Sequence, residues 1–378
     1  MTQTMKYVIT NKQLWFYPIL FGFLGTTIGL VLRYAFTGEF ANFPFKNVLH
    51  SHSHVMLLGF LFNALVVLIW GNFTSGIDKK SYQLYLALQV CVVGMLITFI
   101  IQGYALFSIL FSTLHLWISY VLLIRLWKRL QGNRRFIQLI KVGILFHFIS
   151  SIGPYCLGPL MAMGMQDSPW YQQSIFFYLH FQYFGSLFIW FLVVLLQRST
   201  VILQKRHLQI IAISLIGLYT HSLDYSFNHW AIQLIGSLSS IGLLVVLLSF
   251  WRAFMFVKRP YQVIYFILLF IAFCNIIGSH PFIASQVEQN RFLLIAWLHL
   301  LFLGLYVPFI WIELKHKISN YTWIIYSIAF LFSQLILVFP NTLYNLLDIS
   351  VMWLLFIAYF GVFLSVSVVH LTYLFKSK

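Results

Sequence analysis

The sequence predicts an all-α integral membrane protein that forms one membrane domain over its 378 residues. The chain is 61% hydrophobic and only 8% charged, whereas about a quarter of the residues in a soluble domain are charged. Apolar stretches of about 20 residues, the length that a membrane-crossing helix needs, recur along the whole chain. No segment between them is long or polar enough to form a soluble domain.

Twelve apolar stretches are candidates for membrane-crossing helices. The first follows Lys6 and Lys12, as in a signal peptide, but it is too long for one and has no convincing cleavage site. The third and fourth are separated only by a tight turn near Gly103, and the seventh is the shortest. The stretches cover residues 14–36, 53–71, 83–101, 106–127, 136–156, 173–197, 208–222, 230–256, 262–279, 292–313, 321–339 and 350–374.

Lysine and arginine residues lie in alternate connections between these stretches, and this asymmetry predicts the orientation. Of the 23 basic residues, all except Arg33, Lys46 and Arg291 fall on one side when the amino terminus is placed in the cytoplasm. Both termini are therefore predicted to be cytoplasmic. The formal net charge of +16 then reflects membrane topology, and we expect no binding to nucleic acid.

Three histidines, His50, His52 and His54, stand at the start of the second stretch. A histidine at the edge of a membrane span usually has a functional partner, because burial of its polar ring is otherwise unfavourable. A histidine followed five positions later by a glycine occurs three times, at nearly equal intervals. This repetition suggests three related thirds, about residues 1–130, 131–258 and 259–378. The pairs are His54 with Gly59, His180 with Gly185, and His299 with Gly304.

In the predicted orientation most histidines gather in the outer half of the membrane. Two imidazoles from different helices can bind a low-spin haem, whereas clustered imidazoles with an open position suit copper. On a helix, His50 and His54 share a face and His52 faces another neighbour; the three could also form a copper or zinc site at the surface. The outer histidines are His50, His52, His54, His115, His180, His221, His229, His280 and His299.

In a regular helix each paired glycine lies about 140° round from its histidine, which predicts a helix-packing role for the glycine.

Three motifs carry a resemblance to a known family. They are His52-Ser-His54-Val-Met-Leu-Leu-Gly59-Phe60, His221-Ser222-Leu-Asp-Tyr225 with Trp230-Ala-Ile-Gln-Leu after it, and Trp297-Leu-His299-Leu-Leu-Phe-Leu-Gly304. With the twelve spans they resemble haem–copper oxidase subunit I, and the cbb-type branch is the nearest. The first motif also resembles the HxHEMLFGF motif of the NnrS family, haem- and copper-containing membrane proteins linked to nitric oxide stress. The resemblance implies twelve transmembrane helices in three four-helix arcs.

Matched to this family position by position, the chain keeps the ligands of one haem. His299 matches the low-spin haem ligand of the tenth span, and His52 or His54 matches its partner on the second span. The oxidase register selects His52, while the internal repeat and the NnrS-like motif select His54, which we favour slightly. The resemblance thus implies one low-spin haem b between His54 (or His52) and His299.

The other metal positions of the family are only partly filled. His180 and His221 match copper ligands, but Ser222 replaces the second histidine of the family's pair, and Leu215 stands where cbb-type enzymes have a tyrosine. Trp297 replaces the high-spin haem ligand, and an indole nitrogen has no lone pair to offer a metal. We therefore expect one haem per chain and no oxygen reduction. The further candidates for a copper site are His50, His229 and His280.

The resemblance implies a redox role in respiratory metabolism, either electron transfer or the handling of nitric oxide or copper. Two alternatives stay open. The first is an oxygen or nitric oxide reductase with an altered ligand set, and the second is a haem-free copper transporter or assembly factor. The expected partners are the lipid bilayer of a bacterial inner membrane and a redox partner or other membrane subunits.

Overall fold

The computed structural model describes residues 11–223 and 229–376, and their regular secondary structure is entirely helical. Lys6 and Tyr225, named above, lie outside the described residues. The helices are α1 Asn11–Ala35, α2 Phe45–Phe73, α3 Lys79–Gln102, α4 Leu106–Arg129, α5 Arg134–Ser150, α6 Ile152–Ala162, α7 Pro169–Gln197, α8 Lys205–Gly217, α9 Trp230–Ser249, α10 Trp251–Phe254, α11 Arg259–Gly278, α12 Pro281–Gln289, α13 Arg291–Glu313, α14 Asn320–Val338, α15 Pro340–Leu347 and α16 Val351–Lys376.

Eleven helical segments of the described chain are long and apolar enough to cross a membrane, which confirms the prediction of an all-α membrane protein. They match the predicted stretches except at the seventh. There α8 has only 13 residues, fewer than the about 20 of a crossing helix, although a 3₁₀ turn, Leu218–Ser222, continues it. The predicted number of twelve crossings is therefore not confirmed.

Short polar side chains and prolines mark where many helices begin. The side chains of Asp78, Ser168, Asn290 and Ser319 each accept a backbone N–H from the first turn of α3, α7, α13 and α14. Proline occupies the first turn of α7, α11, α12 and α15, where a missing N–H leaves no hydrogen bond unmade. These caps set the helix ends, while the thickness of the membrane sets the helix lengths.

Three helices change to π-helical geometry at equivalent places. The π segments are Val55–Phe62 in α2, Phe181–Leu187 in α7 and Leu300–Tyr306 in α13, and each begins directly after the histidine of a repeated pair. π-Helical turns are rare and frequently occur at functional sites. Their hydrogen bonds span five residues instead of four, so the separation of about 140° expected between paired histidine and glycine does not apply.

The contacts divide the chain into two compact units, residues 1–129 with 310–378, and residues 130–309. In the first unit, α1 packs against α16 and against the π segment of α2. A methyl group at Gly22 or Gly29 would collide with His370 or Tyr359 of α16, so these glycines permit the close approach. In the second unit, α5 packs against the π segment of α7, and α9 packs against α8 and α11.

An ion cluster joins α3 and α4 in the first unit, where α3 begins and α4 ends. Asp78 accepts a hydrogen bond from the Ser81 hydroxyl and pairs with Arg125 at 2.7 Å and with Arg129 at 3.2 Å. Partial burial alone raises the pKa of Asp78, but the hydrogen bonds from Ser81 and Arg125 and the charge of Arg129 outweigh it and lower the pKa to about 2. The cluster therefore stabilises the charged carboxylate in the folded state.

Asp78→Asn should lower the free energy of unfolding at pH 7 by about 1 kcal/mol, because the variant keeps a capping side chain but loses both ion pairs. The folded-state pKa is depressed, so this contribution is complete above the ordinary value of 3.8 and is lost as the pH falls through about 2. Thermal unfolding in detergent should show a difference at pH 7 that disappears near the folded-state pKa. Asp167→Asn, at an exposed carboxylate, is the control; equal effects of the two substitutions would contradict the role of the cluster.

Candidate functional site

His52 lies on α2 and is held by the backbone of α1. Its Nδ1 atom is 2.8 Å from the carbonyl oxygen of Gly25. A carbonyl oxygen only accepts hydrogen bonds, so the neutral ring carries its proton on Nδ1 and keeps a lone pair on Nε2. A methyl group at Gly29 would come within 2.9 Å of His52 Cε1 and would collide with the Tyr359 hydroxyl. Glycine on α1 thus allows the ring to lie in the orientation that metal-binding histidines usually have.

His54 has the same proton position but different neighbours. Its Nδ1 atom is 2.8 Å from the carbonyl oxygen of His50, one turn earlier on α2, so Nε2 again keeps the lone pair. Its ring stacks on Phe99 of α3 with centroids 4.3 Å apart, and the ring of His50 packs edge-on against Tyr104 at 4.6 Å. In the described part of the chain the buried Nε2 atom of His50 makes no hydrogen bond. The prediction that His50 and His54 share a face while His52 faces another helix is confirmed.

The glycines of the first two repeated pairs pack closely against neighbouring helices. A methyl group at Gly59 would lie 2.8 Å from Val92 of α3 and 2.9 Å from Phe21 of α1. A methyl group at Gly185 would lie 3.1 Å from Phe146 of α5. The predicted packing role is confirmed for these two glycines, which lie within the π segments rather than in regular α-helix.

In the second unit, His180 is held through its other ring nitrogen. Its Nε2 atom is 2.8 Å from the carbonyl oxygen of Leu215 on α8, so the lone pair of the neutral ring is on Nδ1. The ring centroid lies 5.9 Å from that of Phe184 and 5.4 Å from that of Tyr219. His221 is close enough to interact electrostatically with His180. With this hydrogen bond in place, His180 can bind a metal only through Nδ1.

Tyr219 is a residue of this site that the sequence comparison missed. Its ring lies beside His180, and its hydroxyl accepts a hydrogen bond from the side chain of Gln173. The resemblance to cbb-type enzymes matches their tyrosine to Leu215, and Tyr219 follows four residues later. Because residues four apart share a helix face, a tyrosine one turn along was the signal that could have found it.

Trp297 and His299 end the first α-helical part of α13. The indole ring of Trp297 stacks on Phe184, with centroids 6.1 Å apart and planes inclined by 16°. Phe184 in turn stacks on His180. The position that the resemblance matches to a haem ligand is therefore occupied by an aromatic ring packed on a second aromatic ring. His299 directly precedes the π segment of α13.

The remaining candidate ligands lie at helix ends. His229 caps α9, where its Nδ1 atom accepts the Ala231 N–H at 3.3 Å, and His280 precedes α12 and lines an open groove with Trp230. His147, buried on α5, accepts a hydrogen bond from the Gln182 amide and is a satisfied core histidine. The described residues contain no group of three or more His, Cys, Asp or Glu side chains arranged to hold one metal ion. The copper site stays a prediction.

Gly29→Ala should lower the free energy of unfolding by about 1–3 kcal/mol, because its methyl group has no room beside Tyr359 and His52. Gly158→Ala on α6 is the matched control. No atom lies within 4 Å of its added carbon, and alanine in a helix is favoured over glycine by about 0.5–1 kcal/mol. The two substitutions should shift the thermal unfolding temperature in detergent in opposite directions. Stabilisation by Gly29→Ala would contradict the packing of α1 against His52.

No protein-family model matches the chain, and no curated protein sequence matches it. The resemblance to haem–copper oxidase subunit I and to the NnrS family therefore rests on motifs of the chain itself. To those motifs the structure adds histidine rings whose hydrogen bonds fix the position of the proton.

Proposed function

We propose that the chain is a haem-binding integral membrane protein with a redox role, in electron transfer or in the handling of nitric oxide or copper. The observation that carries this proposal is the state of His52 and His54. Each ring donates its Nδ1 proton to a backbone carbonyl oxygen 2.8 Å away and keeps its Nε2 lone pair. Such a hydrogen bond fixes the tautomer and raises the basicity of the nitrogen that binds the metal.

The surroundings of the two rings are suited to a large apolar cofactor. Phe99 stacks on His54, and Met56 packs against Gly25 beside His52. An apolar shell of this kind restricts access of water and so influences the reduction potential of a metal. A bound haem would supply one-electron redox chemistry, while the side chains orient it and exclude solvent.

The proposed axial ligands are His299 and one of His52 and His54. A low-spin haem b of this kind takes one imidazole nitrogen on each side of its iron. His52 and His54 are alternatives, because they face different neighbours on the two sides of α2. His299 enters the proposal from the sequence pattern, as the histidine that directly precedes the third π segment.

A copper ion at His180 and His221 is the second part of the proposal. Two features support it, the electrostatic interaction between the two residues and the Nδ1 lone pair that the hydrogen bond to Leu215 leaves on His180. His50, His229 and His280 stay the candidates for further copper ligands.

We also propose that α8 with its 3₁₀ turn forms a twelfth crossing, that the twelve crossings form three four-helix arcs, and that both termini are cytoplasmic.

Single histidine substitutions test the haem proposal through the absorption spectrum of the reduced protein. Purified with haem supplied, the wild-type protein should show sharp bands of low-spin b-type haem. His299→Ala should abolish them, because loss of one axial ligand leaves the iron five-coordinate or unbound. One of His52→Ala and His54→Ala should have the same effect while the other leaves the bands in place, which identifies the second ligand.

His207→Ala, at a histidine of the first turn of α8, is the control and should leave the spectrum unchanged. Loss of the bands in this variant as well would show that the effect comes from misfolding. Folded wild-type protein that binds copper but has no haem bands would contradict the proposal and favour the haem-free copper transporter or assembly factor.

A further inference from the structure

Arg33 is a buried cation without a countercharge among the described residues. It lies in the last turn of α1, and only 8% of its surface is exposed. In the described part of the chain its guanidinium makes neither an ion pair nor a hydrogen bond. Asp78, in the same unit, pairs instead with Arg125 and Arg129. A buried charge is destabilising unless another group compensates it, so Arg33 requires an anionic partner that the described residues do not supply.

The groups beside Arg33 donate hydrogen bonds or are neutral. Arg33 interacts electrostatically with Tyr359 and His52. Tyr359 is 6% exposed, and its hydroxyl lies over Gly29, one turn before Arg33 on α1. The ring of His52, which donates its Nδ1 proton to Gly25, is neutral and therefore brings no negative charge. The guanidinium offers five N–H donors and the phenol one O–H donor.

The shape of this donor set indicates which anion it fits. Two parallel N–H groups of a guanidinium match the two oxygens of a planar carboxylate, and such charge-assisted pairs are among the strongest hydrogen bonds. Arg33 lies on the same face of α1 as the two glycines beside His52, because Gly25, Gly29 and Arg33 follow one another at intervals of four residues. A ligand held by His52 would therefore bring its own substituents close to Arg33.

We infer that Arg33 and Tyr359 form a subsite for a carboxylate of the ligand that His52 holds. The inference rests on the proposed haem function, in which the carboxylates are the haem propionates. It also selects His52 rather than His54 as the axial ligand on α2, because the ring of His52 lies against Gly29, one turn before Arg33 on α1.

Haem and its dimethyl ester separate this subsite from haem binding in general, because the ester keeps the iron but lacks the carboxylates. Titrated into haem-free protein in detergent, the wild type should bind haem about ten- to a hundredfold more tightly than the ester. Arg33→Gln should bind both with equal affinity. Arg33→Lys should keep part of the preference, because an ammonium retains the charge but not the bidentate geometry.

Two tyrosine variants provide a second comparison that leaves the arginine in place. Tyr359→Phe removes one hydroxyl and should reduce the preference for haem by a smaller factor than Arg33→Gln. Tyr34→Phe, at a tyrosine of the same helix whose ring contacts Phe40, Trp353 and Phe356, should leave the preference unchanged. If Arg33→Gln does not fold, Arg33→Lys and Tyr359→Phe carry the test.

The outcomes distinguish the subsite from the function on which it rests. Equal affinity of the wild type for haem and ester, or full preference in Arg33→Gln, would overturn the subsite and leave haem binding in place. Binding of neither compound by the wild type would overturn the haem function itself. A third outcome is that the wild type binds haem and ester equally tightly, while acetate raises the thermal unfolding temperature of the wild type but not that of Arg33→Gln. This outcome would overturn the propionate assignment in favour of a free carboxylate.

Discussion

The hydrogen bond from His52 Nδ1 to the Gly25 carbonyl oxygen is the interaction on which the candidate site depends. A buried imidazole is unfavourable without a polar partner, and a helical carbonyl already bonded within its own helix still has a second lone pair to offer. Reaching that lone pair requires α1 and α2 to approach closely, which Gly25 and Gly29 permit. The same bond that stabilises the ring also leaves Nε2 as its metal-binding atom, so the packing of two helices and the chemistry of the site have one origin.

The π segments are the second constraint, and side-chain hydrogen bonds support them. In α2 the amide of Asn63, directly after the π segment, donates to the Gly59 carbonyl at 2.8 Å and to Gln89 at 2.8 Å. In α7 the Ser186 hydroxyl donates to the side chain of Gln182 at 3.2 Å. Irregular helical backbone inside a membrane is tolerated where such groups satisfy it. The same deformation after three histidines is what an internal repeat would produce.

Hydrophobic stretches predicted most helices because the membrane fixes their length, and they were least informative at α8, whose apolar stretch is the shortest. The repeated spacing of histidine and glycine was visible in the sequence, but the π geometry was not, because a shift of one residue in hydrogen bonding leaves the apolar pattern unchanged. Tyr219 escaped a comparison made position by position, since it lies one turn beyond Leu215. Arg33 stood out only as an exception to the charge distribution. Its isolation from acidic side chains depends on tertiary packing, which no local pattern records.

The electron paramagnetic resonance spectrum of the oxidised wild-type protein reports directly whether two histidine imidazoles bind one haem iron. Two strong nitrogen ligands hold ferric iron in the low-spin state, whereas an iron with one histidine ligand and an open position is high-spin. With His299 and a histidine of α2 as the two ligands, we expect a low-spin ferric signal that corresponds to all of the haem present. A predominantly high-spin signal, or a Cu(II) signal from protein that contains no haem, would contradict it.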